Sequence, residues 1–442
     1  MAGDPAHPAV GRHGRRAHGG ASARGAGAAA HPRHPARSGG GGQRLRRRPA
    51  GGGVAGRALM PGSATAPLVC MLSAAHPPAD VRVVAKEGAA LAEAGWRVLH
   101  LCPANGAAAP GSHAGVAIRT YARGGGWRGR LGNIPALARR AAASGAAVLH
   151  ASEPDAWLAA ILAARRSGAR VVLDVHEHYP SRLDGRLPKP LRPLGRAAIR
   201  LACRALSRRA DAVVVAKDGL DGDFADPARI VPVRNYAAAE PVEPRRHGPG
   251  PLTLVHLGAL GRSRGALEML EALALCPGET RLSLIGRFTD GSEADFTRRA
   301  AQLGLEAAVA RHGWMPHRAA LDLAATADIG LVLFQPGVEN HRLALPHKLF
   351  DCMLAGLPVI APAFAEEVAA VIREAGCGLL VDTADPAAIA GAVRELADPG
   401  RRAAMGAAGR AAALGRFGWG AEAARLVGLY RRLAPLPDEA AA

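Results

Sequence analysis
The chain reads as an α/β protein of two doubly wound, Rossmann-like domains that face one cleft, preceded by a disordered basic segment. From about residue 66, short apolar runs alternate with helix-length amphipathic stretches, the pattern of a parallel sheet wound by helices. The alternation restarts near residue 252. Between the two runs lies a stretch rich in proline and charge, residues 240–251 (EPVEPRRHGPGP), which has the composition of a domain boundary. The expected division is a segment rich in Arg, Gly and Ala over 1–65, an N-terminal domain over 66–236, a linker over 237–250, a C-terminal domain over 251–415, a terminal helix over 416–433 and a tail over 434–442.

Composition narrows the class. Apolar residues make up 49% of the 442 positions, ample for two cores, although much of this is alanine. The six cysteines (Cys70, Cys102, Cys203, Cys276, Cys352, Cys377) are scattered and form no C-x-x-C pair. They read as reduced core residues of a cytoplasmic protein, not as a disulfide frame or a zinc site. No apolar run reaches the roughly 18 residues of a membrane-spanning helix. The net charge of +19 invites phosphate-bearing partners, but residues 1–65 hold eleven arginines against one aspartate, +10 of that excess. With almost no large apolar residues, this segment cannot offset its chain entropy and is expected to be disordered. It is not a secretory signal, because no apolar stretch follows Arg15-Arg16. It lacks the interleaved aromatics of a nucleic-acid-binding arm, so no nucleic-acid partner is expected. A further reading is that translation starts at Met60.

In the N-terminal domain, residues 67–72 form a strand, 81–94 a helix ended by Gly95, and 97–102 the next strand. No G-x-G-x-x-G follows the first strand, which disfavours a dinucleotide site. In open α/β sheets ligands gather at the carboxyl ends of strands, and three segments deliver polar residues there. They are His76 with Asp80 in the loop 73–80 (SAAHPPAD), residues 150–155 (HASEPD), and residues 174–179 (DVHEHY). The last follows an apolar strand over 170–175 and packs Asp174, His176, Glu177 and His178 into one turn of chain, a dense titratable cluster where chemistry is expected. His176 and His178 alternate in an extended segment and point opposite ways. With no third ligand in sight they are not read as a metal pair. Glu177 reads either as a binding residue or as a cap or ion-pair partner.

Residues 187–211 carry Arg192, Arg196, Arg200, Arg204 and Arg208 at four-residue spacing. Each step advances about 40° around a helix, so five sweep roughly 160°, with Leu194, Ile199, Leu201, Ala202 and Leu206 largely off that sector. Such a face suits anionic lipid headgroups. A solvated charged face is the other reading. Residues 124–130 (GGGWRGR), with Trp127 beside Arg128 and Arg130, read as an interfacial loop. A strand over 212–216 and the segment 230–236 complete the domain.

The second domain starts with a strand over 252–257 and a loop to Gly265 (HLGALGRSRG). Gly258 and its fellow glycines let backbone approach a phosphate, and Arg262 and Arg264 add charge beside the N-terminus of a helix over 266–275. Surface solubility is the plainer reading of the two arginines. A strand over 282–285 ends in Gly286 and Arg287, and a strand over 328–334 leads into residues 339–362, ENHRLALPHKLFDCMLAGLPVIAP. There Pro346 takes the first helical position, 347–355 is a short helix with Leu349, Phe350, Met353 and Leu354 on one side, Gly356 closes it in the left-handed conformation, and 359–361 is a buried strand. The helix N-terminus with Lys348 suits a phosphate. His347, Lys348 and Asp351 share a face, and Asp351 suits ribose hydroxyls. A local Lys348–Asp351 pair is the plainer reading. A strand over 378–382, a surface helix over 385–396 with Pro386 in its first turn, and an amphipathic helix over 416–433 follow.

These residues carry a resemblance. LPHKLFDCMLAGLPVIAP looks like the donor-binding helix of the family 4 (group 1) glycosyltransferases, the retaining family with the two-domain GT-B fold. DVHEHYP and AAHPPADVR resemble its acceptor-side histidine motif and first loop. HLGALGRSRG resembles its glycine–basic–glycine loop, and RHGWMP, residues 311–316, resembles the segment that lines the nucleotide base. The resemblance runs in pieces from about residue 67 to about 433 and makes the last helix the one that crosses back onto the N-terminal domain. It implies sugar transfer from a nucleotide-diphosphate donor to an acceptor hydroxyl with retention, independent of metal and of any cofactor beyond the donor. It implies work on a glycan or lipid-linked acceptor in cell-surface polysaccharide or glycolipid synthesis, at the cytoplasmic face of the membrane. His176, Arg264 and Lys348 become the expected catalytic residues, and His76, Glu177, Gly258, Arg262, Gly286, Met315, Asn340 and Asp351 the expected substrate contacts.

Two departures stand out. The arginine usual after the first glycine is absent, Ala259 stands there, and Arg262 is the expected substitute. The family often carries two acidic residues separated by seven; the second is Asp351, but the first position is Leu343, with Glu339 and Asn340 nearby and out of register. Two other readings therefore stay open: a GT-B protein that binds a sugar nucleotide without chemistry, and a GT-B sugar-nucleotide epimerase.

Overall fold
The computed structural model describes residues 65–437 apart from 105–109, 125 and 239–240. The expectations for the basic segment, for a start at Met60, for the Trp127 side chain and for the end of the tail lie outside the described residues. The first sheet contains β1 (Leu68–Leu72), β2 (Arg97–Pro103), β3 (Ser112–His113), β4 (Val116–Tyr121), β5 (Val148–Ala151), β6 (Arg170–Val175), β7 (Ala212–Val215) and β8 (Ile230–Pro232). Its order is β3-β4-β2-β1-β5-β6-β7-β8, parallel except for the β3–β4 pair. The second contains β9 (Thr253–Leu257), β10 (Arg281–Ile285), β11 (Val309–Gly313), β12 (Ile329–Leu331), β13 (Val359–Pro362) and β14 (Gly378–Val381), in the order β11-β10-β9-β12-β13-β14, all parallel.

Central strands buried on both faces need continuous apolar runs, and β1 shows why LVCML serves. Cys70 and Leu72 point into a core with Trp157 and Tyr179, while Val69 and Met71 point into one with Trp96 and Tyr430. The last helix, Trp419–Leu433, belongs to this second core although it follows the C-terminal domain. Leu426, Leu429 and Tyr430 pack there, Trp96 Nε1 donates to the Ala434 carbonyl at 2.9 Å, and Glu422 accepts the Arg234 N–H at 2.8 Å. The crossing back onto the first domain is thus observed.

Several local expectations are corrected. The helix expected over 81–94 winds as a π-helix over Val81–Gly88 before Ala89–Glu93, with Asp80 accepting the N–H groups of Arg82 and Val83. Pro346 is the cap of the helix His347–Leu354 and not its first residue, while Gly356 at φ +73° closes it as expected. Residues 126–130 are the first turn of a helix, Gly126–Ala142, not a loop. The helix Pro399–Leu414 had no strong apolar period to announce it, though Asp398-Pro399, an aspartate cap before a first-turn proline, marks its start.

The arginine face is also different. In the helix Arg192–Ser207, Arg196 reaches Asp184 (Nε to Oδ2 3.0 Å), Arg200 reaches Asp223 (2.6 Å), and Arg192 and Arg204 bond the carbonyls of Leu187 and Gly222. These flanking turns draw the arginines to partners within the fold. Ile199 and Leu206 pack on the core, but Leu194 and Leu201 are 68% and 66% exposed.

Candidate active site
The carboxyl ends of β9 and β10 meet at two glycines. Gly258 donates its N–H to the Ile285 carbonyl at 2.7 Å. A Cβ placed on Gly286, at φ +151°, would lie 1.8 Å from the Gly258 oxygen, a contact that only glycine permits. The Lys348 stem passes over Gly258 and brings its ammonium 2.8 Å from His256 Nε2. Phe334 lies beneath two cations, with Arg264 5.4 Å and Lys348 5.9 Å from its ring centroid. Among the described residues, neither cation has a carboxylate within ion-pair distance. Burial, and then the Arg264 charge, hold the Lys348 pKa well below its usual value. Burial, and then Lys348, keep His256 neutral, so its Nε2 is free to accept a hydrogen bond from Lys348.

Lys217, just beyond β7 in the N-terminal domain, is a third such group. It is 5% exposed and its pKa is lowered to about 8 by burial; burial, and then the charges of Arg264, Lys217 and Lys348, depress His341. Sequence reasoning missed it; a lysine two residues beyond the buried strand AVVV was the available signal.

Arg262 does not join this group. Its guanidinium pairs with Asp295, and its N–H donates to Asp290 at 2.7 Å. The expectation that it replaces the missing arginine is corrected, and Arg264 alone accompanies Lys348. The shared face of residues 347–351 also divides. Lys348 turns to His256, whereas Asp351 accepts from His317 Nε2 at 3.0 Å and lies 3.8 Å from His347 Nδ1. Lys348 meets His256 of β9 and Asp351 meets His317 of the helix His317–Ala324, so each side chain has a different neighbour and the local Lys348–Asp351 pair does not form. Asp351 stays ionised: burial opposes this, but the bonds from His317 and His347 prevail. His317, His347 and Asp351 are grouped closely enough to hold a cation; burial, and then the Lys86 charge, lower the His347 pKa. Met315 is half-buried against the C-terminal core, and the neighbouring Trp314 is 67% exposed with the Arg287 guanidinium 5.7 Å from its ring.

On the facing side, the loop after β1 wraps the Glu153 carboxylate, which accepts the N–H groups of Ala74, Ala75 and His76 at 2.8, 2.9 and 3.2 Å. His76 Nδ1 lies 3.0 Å from Asp80. Burial alone would lower its pKa, but the bond and charge of Asp80, reinforced by Glu153 and Asp174, push it up to about 9. The His176 ring stands edge-on to His76, centroids 4.9 Å apart, and its Nε2 bonds Asp174 Oδ2. His178 turns instead to Ser181 and Asp223. Glu177 forms an ion pair with Arg182, the salt-bridge alternative, while its charge still reaches Arg264 and Lys217.

The loop after Phe334 joins the two sides. Asn340 Oδ1 accepts the His178 N–H at 2.7 Å, so that oxygen is committed to the neighbouring domain. Leu343, at the family's acidic position, is 6% exposed within the N-terminal core, and a side chain on Gly219 would touch it. The structure thus brings Gly258, Gly286, Arg264 and Lys348 together on one wall, and His76 with His176 on the other.

Comparisons with known proteins agree with this layout. Residues 79–236 match the family described as Glycosyl transferase 4-like domain, and residues 251–398 match Glycosyl transferases group 1. The chain is similar to D-inositol 3-phosphate glycosyltransferases of Xylanimonas cellulosilytica (30% identity over 226 residues, 50% of this chain and 51% of that protein) and Acidothermus cellulolyticus (30% over 172 residues, 38% and 36%). The matches thus span about half or less of these curated relatives. Among solved structures, sucrose-phosphate synthase from Thermosynechococcus elongatus superimposes with a TM-score of 0.68 at 20% identity, covering 83% of this chain and 99% of that one. Anabaena HepE in complex with UDP-glucose gives 0.62 at 16% identity, covering 83% and 99%.

Proposed function
Since the chain belongs to the group 1 glycosyltransferases of the GT-B type, we propose that it moves a hexose from a nucleoside-diphosphate sugar to an acceptor hydroxyl with retention of configuration. The observation that carries this is the pair of cations, half-buried Arg264 and buried Lys348, without carboxylate partners and sharing the Phe334 ring beside two glycines that open the backbone to a diphosphate. As the bond from C1 to the diphosphate breaks, charge grows on the leaving oxygens. Fixed cations and the N–H groups at the start of His347–Leu354 meet that charge without reorganising. The acceptor oxygen bonds C1 from the same face and its proton passes to the departing phosphate. His176 and His76 line the sugar and acceptor side, Asp351 takes the ribose, and Met315 lies along the base. Under this reading no metal and no cofactor beyond the donor is required. That HepE was solved with UDP-glucose supports a nucleotide-sugar donor.

A glycan or lipid-linked acceptor in cell-surface polysaccharide or glycolipid synthesis, used at the cytoplasmic face of the membrane, completes the proposal. Among the described residues no helix is long and apolar enough to cross a membrane. The contact would use the exposed Leu191, Leu194 and Leu201 flanked by the arginine helix. The burial of Leu343 favours one second reading, a protein that binds the sugar nucleotide without transfer.

Thermal stabilisation by UDP, GDP, ADP and dTDP tests the site, each with wild type and with Arg264→Ala plus Lys348→Ala. One nucleotide is expected to stabilise wild type alone, with EDTA having no effect. No stabilisation of the folded wild type by any of them overturns the reading. Release of the free nucleoside diphosphate from the matching sugar nucleotide, dependent on an added lipid-linked acceptor, separates transfer from binding. Failure to sediment with anionic liposomes removes the membrane contact.

A further inference from the structure
Behind His176 lies a group of charges shut off from water. Arg82 and Glu87 come from the helix Val81–Gly88, His150 from β5 and Asp174 from β6, and the last three are completely buried. Arg82 Nη2 lies 2.7 Å from Glu87 Oε1 and 3.0 Å from Asp174 Oδ1. Residues five apart on an α-helix diverge by about 140°. Here the π-helical winding, with Ala85 N–H donating to the Asp80 carbonyl at 3.2 Å, brings Arg82 and Glu87 onto one face. His150 Nε2 stands 3.3 Å from Glu87 Oε2 and 3.4 Å from Asp174 Oδ2, and its Nδ1 is 2.7 Å from the Tyr430 hydroxyl oxygen.

Two carboxylates against one guanidinium leave an unbalanced negative charge in a fully buried site, and a protonated His150 cancels it. Burial would lower the His150 pKa, but the bonds to Asp174 and Glu87 overcome this and push it up to about 9. Arg82 already forms ion pairs with both carboxylates, so the cluster is closed by protein charge. One oxygen, Asp174 Oδ2, faces both His150 and His176.

We propose that His150 is a positioning residue for His176, held in that role by Tyr430 of the terminal helix. Sharing Oδ2 keeps Asp174 ionised and aimed at His176 Nε2. That dictates the Nε2–H tautomer and leaves Nδ1 with its lone pair for a hydroxyl of sugar or acceptor. The catalytic meaning rests on the acceptor-side reading of His176; the electrostatic link does not. The other groups facing His176 are His76, Asp80 and Arg82.

The test uses the full chain and diethyl pyrocarbonate, which modifies neutral imidazole. Its rate at His176 is read by peptide mass spectrometry from about pH 5 to pH 9 as a pH profile. In His150→Gln the positive neighbour is gone, so Asp174 holds a proton on His176 more firmly and the modification of His176 should slow by about tenfold at the low-pH end of the range. Tyr430→Phe removes the acceptor of the His150 Nδ1–H, weakens the same charge, and should shift His176 the same way by less. Superimposable His176 curves in wild type and both variants overturn the proposal. If His150→Gln does not fold, Tyr430→Phe decides alone, with a shift supporting and no shift refuting. Stabilisation of wild type by nucleotides reports separately on the transferase reading.

Discussion

Replacing Lys348 by methionine should make the unliganded protein no less stable and its nucleotide complex much weaker. The lysine is 8% exposed, lies within a hydrogen bond of one neutral imidazole, and shares the Phe334 ring with Arg264. Methionine matches the stem in volume. His256 is not orphaned, because its Nε2 also lies 3.2 Å from the Ala259 carbonyl and can donate there in the other tautomer. Exchanging a buried charge without an anionic partner for an apolar group of similar size is neutral or stabilising by about 1–3 kcal/mol. The complex loses a charge-assisted hydrogen bond worth about 1.5–3 kcal/mol, a weakening of about 10- to 100-fold. At a nucleotide concentration about 100 times the wild-type dissociation constant, wild type gains about 2.7 kcal/mol, a melting shift of about 3 °C for a chain of this length. The variant should gain only about 0.4–1.4 kcal/mol. Melting curves with and without the stabilising nucleotide give both numbers. A variant with a lower unliganded melting temperature and the full nucleotide shift would show that Lys348 supports the fold and does not bind phosphate.

Three further outcomes are expected. Gly286→Ala forces a Cβ against the Gly258 oxygen at a positive φ, so it should cost about 2–5 kcal/mol in urea unfolding and abolish the nucleotide shift; a stable, nucleotide-responsive variant would contradict the back-to-back glycines. Leu343→Glu restores an acidic residue at the family position but places it in the N-terminal core. It should lower stability by about 3–5 kcal/mol, and an unchanged melting temperature would mean that the loop is not docked there. For His76 the folded pKa, about 9, is raised above the unfolded value of about 6.5. Its stabilisation, about 3 kcal/mol, is therefore complete below pH 6.5 and lost as pH rises through 9. Lys86, lowered to about 7 by burial and Arg82, works the opposite way over the same range. The quantity to follow is thus the stability difference between wild type and His76→Gln, which should shrink towards zero by about pH 10; a difference independent of pH would refute the His76–Asp80 pairing.

What the sequence determined by itself is local or periodic. Several strands of both sheets were legible because runs such as LVCML and AVVV are apolar without interruption, as strands buried on both faces must be. The helix over 347–354 and its closing Gly356 were legible because a proline at the start, an apolar side and a left-handed glycine follow one another in order. The cluster at 174–178 could be placed at the strand ends, since topology sends loops there whatever their partners.

Only the tertiary structure decided how the charges pair, because that depends on residues far apart in the chain. Arg262 and Arg264 look equivalent in sequence, yet Asp295 takes one and leaves the other over Phe334. Lys348 and Asp351 share a helix and part company because His256 and His317 approach from different elements. The arginines at four-residue spacing read as one basic face, but Asp184 and Asp223 draw two of them inward while Leu194 and Leu201 remain exposed. His150 and Tyr430, 280 residues apart, meet only because the terminal helix crosses back. Hydrophobic periodicity is written along the chain, whereas the cost of burying a charge is settled by whichever partner the fold brings to it.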